Sequence, residues 1–336
     1  MTSPLLSVCI VTYNQEFYIQ RVLESAIAQQ TDFAYEIVVG EDCSSDGTLH
    51  ICQDFAKRYP EKIRLLPSPE HNLGLNQNFL RTFRACQGEY IAYLEGDDSW
   101  ITSDKLQKQV NILEENPDVV LVHTNCKVWD VKHNTISDHL IQYEGVCVRE
   151  KQSGISGVIA EFEGHFRHIK TSTCVYRRAI LEKILRDDEY AYSNKEFPAQ
   201  DFQLFQDMAY NGRFAFIDED TTMIALTDSL SVNSDTSKQF QYRKGFNKIG
   251  IYYINKYHIG RDVAQIWMQK ELHWHLNFGM HHPEHSAAIE QIMDMARTNG
   301  YRVPLTQRLL LFLLRHPRIR SIVYPLYQKY YTIRES

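Results

Sequence analysis

The chain has 336 residues, 43% of them hydrophobic and 23% charged, with a formal net charge of −6. This is the composition of a globular protein with room for one large domain and an addition, and it excludes general nucleic-acid binding, which shows as a basic excess. Seven scattered cysteines, odd in number and without a Cys-x-x-Cys pair, fit a reducing compartment with buried thiols; residues 1–6 run straight into a strand, so no signal peptide is expected, and no apolar run is long enough to predict a spanning helix.

Leu6 to Thr12 reads as a strand apolar on both faces, as in a parallel sheet, ended by Tyr13 and Asn14. Phe17, Ile19, Val22, Leu23, Ala26 and Ile27 have helical spacing and predict a helix over 17–29. A second strand, 35–39, leads into a loop of turn formers at 40–48, where Ser45 or Asp46 is placed to cap the helix predicted over 48–59. A short strand at 63–66, a helix at 76–86 and a strand from Gly88 complete an alternation that predicts a parallel, Rossmann-like sheet. A helix over 104–114, ended by Pro117, and a strand at 119–123 follow. Residues 124–170 read as a loop-rich insert, 171–176 as a strand, 178–185 and 201–211 as helices, and 214–217 as a short strand. After Asn233 the character is helical, with helices at 246–257, 263–278 and 287–297. The organisation expected is 1–232 as one domain, with halves 1–123 and 124–232, and 233–336 as a helical extension.

The chain is organised around residues 88–100. An apolar strand there runs directly into Glu95, Asp97 and Asp98. Strand side chains alternate, so Glu95 and Asp97 project to one side at the strand's C-terminal end, where open α/β sheets bind ligands. Paired carboxylates in that place suit a hard divalent cation with open positions for phosphate oxygens. Tyr13 follows the first strand, where it either stacks on a nucleobase or packs in the core. Asp42 follows the second, where it either accepts from a base N–H or caps a helix. In a parallel sheet all three positions share one rim.

These segments together resemble a family 2 glycosyltransferase: Ser-Val-Cys-Ile-Val-Thr-Tyr-Asn from Ser7, Glu-Ile-Val-Val-Gly-Glu-Asp-Cys-Ser-Ser-Asp-Gly-Thr from Glu36, Asn72-Leu-Gly74 with Asn78, and Glu-Gly-Asp-Asp-Ser-Trp from Glu95, with Lys105-Leu106 and Gln109 after them. The resemblance covers about residues 6–226. It implies a GT-A fold, a mostly parallel Rossmann-like sheet flanked by helices, and inverting transfer from a nucleoside-diphosphate sugar, UDP-linked first, to a hydroxyl of a glycan or lipid-linked glycan. It implies Thr12, Tyr13, Asn14, Asp42, Asn78, Glu95, Gly96 and Asp97 at the nucleotide, and Asp97 and Asp98 as ligands of Mn²⁺ or Mg²⁺. The Glu-Gly-Asp-Asp segment departs from the family's Asp-x-Asp-Asp. Gln200-Asp201 stands where the family carries Glu-Asp, which makes Asp201 the general base; the same residue also suits an N-cap carboxylate. The family's following Arg and His are missing from residues 225–231, and Arg177, Arg178, Arg243 and Lys244 are the cations left to replace them.

Further readings remain open from sequence. A catalytically silent nucleotide-sugar-binding or scaffold member keeps the same motifs. The late histidines, His273, His275, His281, His282 and His285, read as a zinc site or as a packed helix surface, and His165 and His168 are placed to touch the acceptor. Residues 304–331, rich in Leu, Ile, Tyr and Arg, read as a surface lying on an anionic membrane or as a hairpin packed on protein. The resulting location is cytoplasmic, peripheral on the inner face of the cell membrane in the first case, with a homo-oligomer left open.

Overall fold

The structure is a computed structural model that describes residues 3–137, 153–163, 169–194, 196–198, 200–227 and 236–325. It divides into two compact units, 1–234 and 235–336. His165, His168, Asp228, Asn233 and the stretch 326–331 lie outside the described residues.

In the first unit, β1 (Leu6–Thr12) is buried at all its positions, which is why its sequence is apolar on both faces. β2 (Tyr35–Glu41) and β4 (Tyr90–Glu95) run parallel on either side of it, with Val8 opposite Ile37 and Ala92. β3 (Ile63–Leu65) adds parallel outside β2. The intervening helices are α1 (Ile19–Ile27), α2 (Thr48–Arg58) and α3 (Leu75–Ala85). This register sets Thr12 opposite Glu41 and Val11 opposite Glu95, so the C-terminal ends of three strands meet at one rim. Beneath it, Val8, Ile10, Ile37, Val39, Ala92 and Leu94 form the heart of the hydrophobic core.

The chain then passes through β5 (Ser99–Trp100), α4 (Lys105–Glu115), β6 (Val119–Asp130), β7 (Thr135–Ile136), α5 (Ile155–Glu163), β8 (Val175–Arg177), α6 (Arg178–Asp187), α7 (Glu189–Ser193), α8 (Gln200–Asn211) and β9 (Arg213–Leu226). The strand order is β3-β2-β1-β4-β8-β6-β9-β5, with β7 on β6. β8 is antiparallel to both β4 and β6, while β6 and β9 are parallel. The sheet is thus mostly parallel and helix-flanked, as expected.

Several elements differ from the sequence reading: β7 and α5 lie in the expected loop-rich insert, and α9 begins at Thr236 where the helix was expected from 246. β6 runs on to Asp130, and β9 spans 14 residues instead of four. Register shifts at Thr124/Asn125 and Asn125/Cys126 break the alternation that would have announced this pairing. Residues 171–173 form a 3₁₀ turn before β8, because the Thr173 amide and hydroxyl both donate back to the Lys170 carbonyl, at 2.9 and 2.6 Å.

The second unit contains α9 (Thr236–Lys256), α10 (Arg261–His281), α11 (Ser286–Thr298) and α12 (Leu305–Arg315), with a further helical turn set over 317–325. Its late histidines are packing groups. The His285 ring stacks on Phe240 at 4.4 Å. His275 is buried with Nδ1 2.9 Å from the Glu271 carbonyl, and burial pushes its pKa down to about 4. Among the described residues, the gathered ligand set lies elsewhere, in the first unit.

Candidate active site

β4 delivers Glu95 at its last position, and the chain turns at once, so Asp97 and Asp98 follow under it. Ligand oxygens of Glu95, Asp97 and Asp98 all lie within 4.8 Å of one another. Three parts of the fold hold them: the 171–173 turn, Gln15 and β9. Thr171 Oγ1 donates to Glu95 at 2.6 Å. The Gln15 side chain hydrogen-bonds Asp97, while its own Oε1 accepts from Thr12 Oγ1 at 2.8 Å. Asp98 accepts from the Ala225 amide at 3.0 Å and from the Ser172 side chain. Asp97 and Asp98 are each only 4% exposed.

Three carboxylates gathered in a buried place resist ionising together. Burial first, then the charge of Asp97, pushes Glu95 up to about 7. Burial likewise lifts Asp97 to about 6, against hydrogen bonds from a backbone amide and Gln15 and the charge of Arg21. Asp98 stands well above the ordinary carboxylate range through burial and its two acidic neighbours. An all-oxygen set whose members repel one another is chemically matched to a hard dication, which neutralises them and takes oxygen ligands. The residues therefore fit the expected ion.

Beside this cluster lies a cleft of about 380 Å³. It brings together Thr12, Tyr13, Asn14, Asp42, Asn78, Glu95 and Gly96 of the expected nucleotide set. Tyr13 is 45% exposed at its wall, which excludes the core reading, and Leu75, also exposed, lies on the same cleft. Asp42 is buried and ties down the 72–74 loop. Its Oδ2 accepts from Asn72 Nδ2 at 2.8 Å and the Gly74 amide at 2.9 Å, and its Oδ1 from the Leu73 amide at 2.9 Å. A carboxylate offers about four lone-pair sites, so one is left for a ligand. Asn78 is similarly engaged, donating to the Gly40 carbonyl at 2.7 Å and accepting from Arg81 Nε at 2.9 Å. Asn14, at φ 52°, accepts from the Ser45 amide at 2.8 Å and so joins the loops after β1 and β2. The N-cap position of α2 is Gly47 and not Ser45 or Asp46, although Asp46 Oδ1 accepts from the Thr48 amide at 3.0 Å.

Gly96 has no room for a side chain. A Cβ there would sit 2.6 Å from Thr12 Cβ and closer still to Gln15 Oε1. Gln15 can swing away, but Thr12 is fixed in β1. Gly96→Ala is expected to cost about 1–3 kcal/mol of stability through overpacking. It should also weaken nucleotide affinity by about tenfold or more, because Gln15 is displaced from Asp97. Calorimetry with UDP and a thermal melt measure both; unchanged affinity would show that Gln15 has no part in the site.

Asp201 is exposed in the first turn of α8, where its Oδ1 accepts the Phe202 amide at 2.8 Å. Its charge adds to the forces that raise Glu95 and Tyr176, which places it within electrostatic reach of the acidic cluster. The helix begins at Gln200, so Asp201 lies within its first turn and not at the N-cap position the sequence suggested.

Arg177 and Arg178, two of the cations the sequence suggested, are engaged away from the acids. Arg177 donates to the Val119 and Asn116 carbonyls at 2.7 and 3.1 Å and lies over the Tyr90 ring, at the opposite end of β4 from Glu95. Arg178 pairs with Glu182 at 2.9 Å. Lys170 and Arg21 instead act on the acids, Lys170 lowering Glu95 and Arg21 lowering Asp97. Neither carries a motif in sequence, and nor does Gln15. The Thr171-Ser172-Thr173 run was visible, but as a strand.

That run is held from below. Gln109 Nε2 donates to the Val122 and Thr173 carbonyls at 2.7 and 2.9 Å, and its Oε1 accepts from Lys105 Nζ at 2.6 Å. Lys105 is fully buried beneath the Trp100 ring, 4.8 Å away, and burial drops its pKa to about 7. Trp100 Nε1 donates to the Ser172 carbonyl at 3.0 Å. Gln109→Leu leaves two carbonyls and an amine buried without these partners, each worth about 1–3 kcal/mol. A loss of about 3 kcal/mol or more is expected in chemical denaturation; a loss below 1 kcal/mol would mean the strut is dispensable.

Residues 7–185 match the family model described as glycosyl transferase family 2. The putative teichuronic acid biosynthesis glycosyltransferase TuaG of Bacillus subtilis is 35% identical over 112 residues, 33% of this chain and 43% of that protein. The chain likewise spans only 33% of the length of three mycobacterial relatives. Staphylococcus aureus TarS 1–349, solved with UDP-GlcNAc, superposes with a TM-score of 0.59 at 21% identity, covering 94% of this chain and 88% of that one. A mannosyltransferase of Pyrobaculum calidifontis, solved with GDP-Man and Mn²⁺, gives 0.57 at 15% identity, covering 98% and 89%. At these identities the two structures speak for the fold, which is GT-A.

Proposed function

This chain belongs to glycosyl transferase family 2, and from that premise we propose that it is an inverting, cation-dependent glycosyltransferase using a nucleoside-diphosphate sugar, UDP-linked first, and a hydroxyl of a surface glycan or its lipid-linked precursor. The observation that carries this reading is the meeting of three strand ends at one rim, which gathers the cleft with Tyr13 and Asp42 beside the Glu95-Asp97-Asp98 cluster, with Asp201 within electrostatic reach of Glu95.

In this reading the base lies against Tyr13, with the remaining lone pair of Asp42 accepting from a base N–H. Asp97 and Asp98 would hold the cation, with Glu95 beside them. A bound dication supplies positive charge against which the diphosphate leaves. Lys170 adds a positive charge on the same side. The Asp201 carboxylate takes the proton of the acceptor hydroxyl as its oxygen forms a bond to the anomeric carbon. The bond from that carbon to the diphosphate oxygen breaks, its electron pair leaves with the nucleoside diphosphate, and configuration inverts. The likeness to TuaG, named for teichuronic acid biosynthesis, supports a glycan acceptor.

The test incubates the chain with UDP-, GDP- and dTDP-sugars and candidate glycan acceptors, with Mn²⁺, Mg²⁺ or chelator, and reads products by mass spectrometry and anomeric NMR. Transfer with inversion that chelation stops is the expected result. Retention of configuration, or nucleotide binding without turnover across the panel, would overturn it.

A further inference from the structure

We propose that the end of the second unit, α12 with the helix over 317–325, is a face that docks on an anionic lipid bilayer. The proposal concerns a surface, and it stands or falls independently of the transfer reaction.

On α12, Leu310, Leu311, Leu313 and Leu314 are buried, and the helix packs on α10 and α11 within its own unit. Its opposite side is also apolar. Leu305, Leu309 and Phe312 are spaced four and three residues apart, so they share one stripe, and they are 80%, 43% and 45% exposed. Beyond the break at His316 the spacing resumes with Ile319 and Ile322, the latter 70% exposed. The inner side of that second helix is pinned by Tyr324, which is buried against the His281 ring, its hydroxyl 3.4 Å from Nε2. The outward set of Ile319 and Ile322 is therefore held rather than free to turn in.

Charge selects the occupant. Between residues 295 and 334 there is no Asp or Glu, while Arg302, Arg308, Arg315, Arg318 and Arg320 flank the stripe, in a chain whose net charge is −6. Arg308 and Arg315 are seven residues apart and so border the α12 stripe on one side. Arg315 is anchored to Glu290 at 2.7 Å, which leaves Arg302, Arg308 and Arg318 exposed. Exposed aliphatic and aromatic groups edged by arginine match the acyl boundary and anionic headgroups of a bilayer surface, with arginine stems lying along the apolar boundary. No described helix is long and apolar enough to cross a membrane, so the contact is with the surface.

The test is flotation of the full chain with vesicles of phosphatidylcholine alone or mixed with phosphatidylglycerol, without substrate. The chain is expected to float with the anionic vesicles and to be released by high salt. The triple variant Leu305→Gln, Phe312→Gln, Ile322→Gln should not float. Replacing Arg302, Arg308 and Arg318 with Gln should weaken binding by about a hundredfold. Circular dichroism and soluble donor turnover should match wild type in both. No flotation, or undiminished flotation of the apolar variant, would overturn the proposal. So would a wild-type dimer, seen by light scattering, that ignores vesicles and becomes monomeric in the apolar variant, since a second copy then covers the face.

Discussion

Asp97→Asn should lower kcat/KM by about 10²–10³, the range for removing one group that answers developing charge, and should abolish the response to Mn²⁺. It should do so while making the cation-free protein more stable above neutral pH. The reason lies in the buried trio. Burial, joined by the Asp97 charge, lifts Glu95 to about 7, and burial lifts Asp97 to about 6, against about 4 for such groups in an unfolded chain. The folded protein therefore binds more protons than the unfolded one between those values, so its stability falls as pH rises through roughly 4 to 7. The ordinary case of a depressed carboxylate has the opposite sign. Removing the Asp97 charge removes the second-largest cause of the Glu95 shift and part of this penalty.

A cation that binds the ionised trio reverses the trend by mass action, worth about 2.7 kcal/mol at a hundred times its dissociation constant. Thermal melts with and without Mn²⁺ at pH 5 and pH 8 read all of this at once. Wild type should gain little from Mn²⁺ at pH 5 and much at pH 8, whereas Asp97→Asn should gain little at either. An equal gain in the variant would place the ion elsewhere, and a melt that rises through this pH window without metal would refute the repulsion account.

The parallel half of the sheet was legible in the sequence because β1, β2 and β4 are buried on both faces and the helices between them carry apolar stripes. Three of the four motifs fell at strand ends, so the rim could be drawn before any coordinates. What could not be read were the partners supplied by distant chain. Thr171 and Ser172 reach Glu95 and Asp98 across some 75 residues, by hydroxyls that leave no periodic trace. Lys170 is a lone cation in an irregular stretch, whereas Arg177 and Arg178, more conspicuous side by side, are consumed by carbonyls and by Glu182. β9 escaped for a related reason. Its central Asp218-Glu219-Asp220 looks like a loop, yet it lies in a strand whose pairing with β6 is bulged.

Asp201→Asn should reduce transfer by about 10²–10⁴, the range for losing a positioned general base, with donor affinity nearly unchanged. Asparagine keeps the oxygen that accepts the Phe202 amide, so the start of α8 should survive and the melt should shift little. A structural role alone predicts the reverse, a stability loss with activity restored at lower temperature. Because the Asp201 charge bears on Glu95, its removal should also ease cation-free Glu95 back toward the ordinary carboxylate value, a change NMR titration of the carboxyl carbon can follow without any turnover. A variant that transfers sugar at the wild-type rate would leave the acceptor hydroxyl to be deprotonated by another group, and the assignment of Asp201 as the base would fall with it.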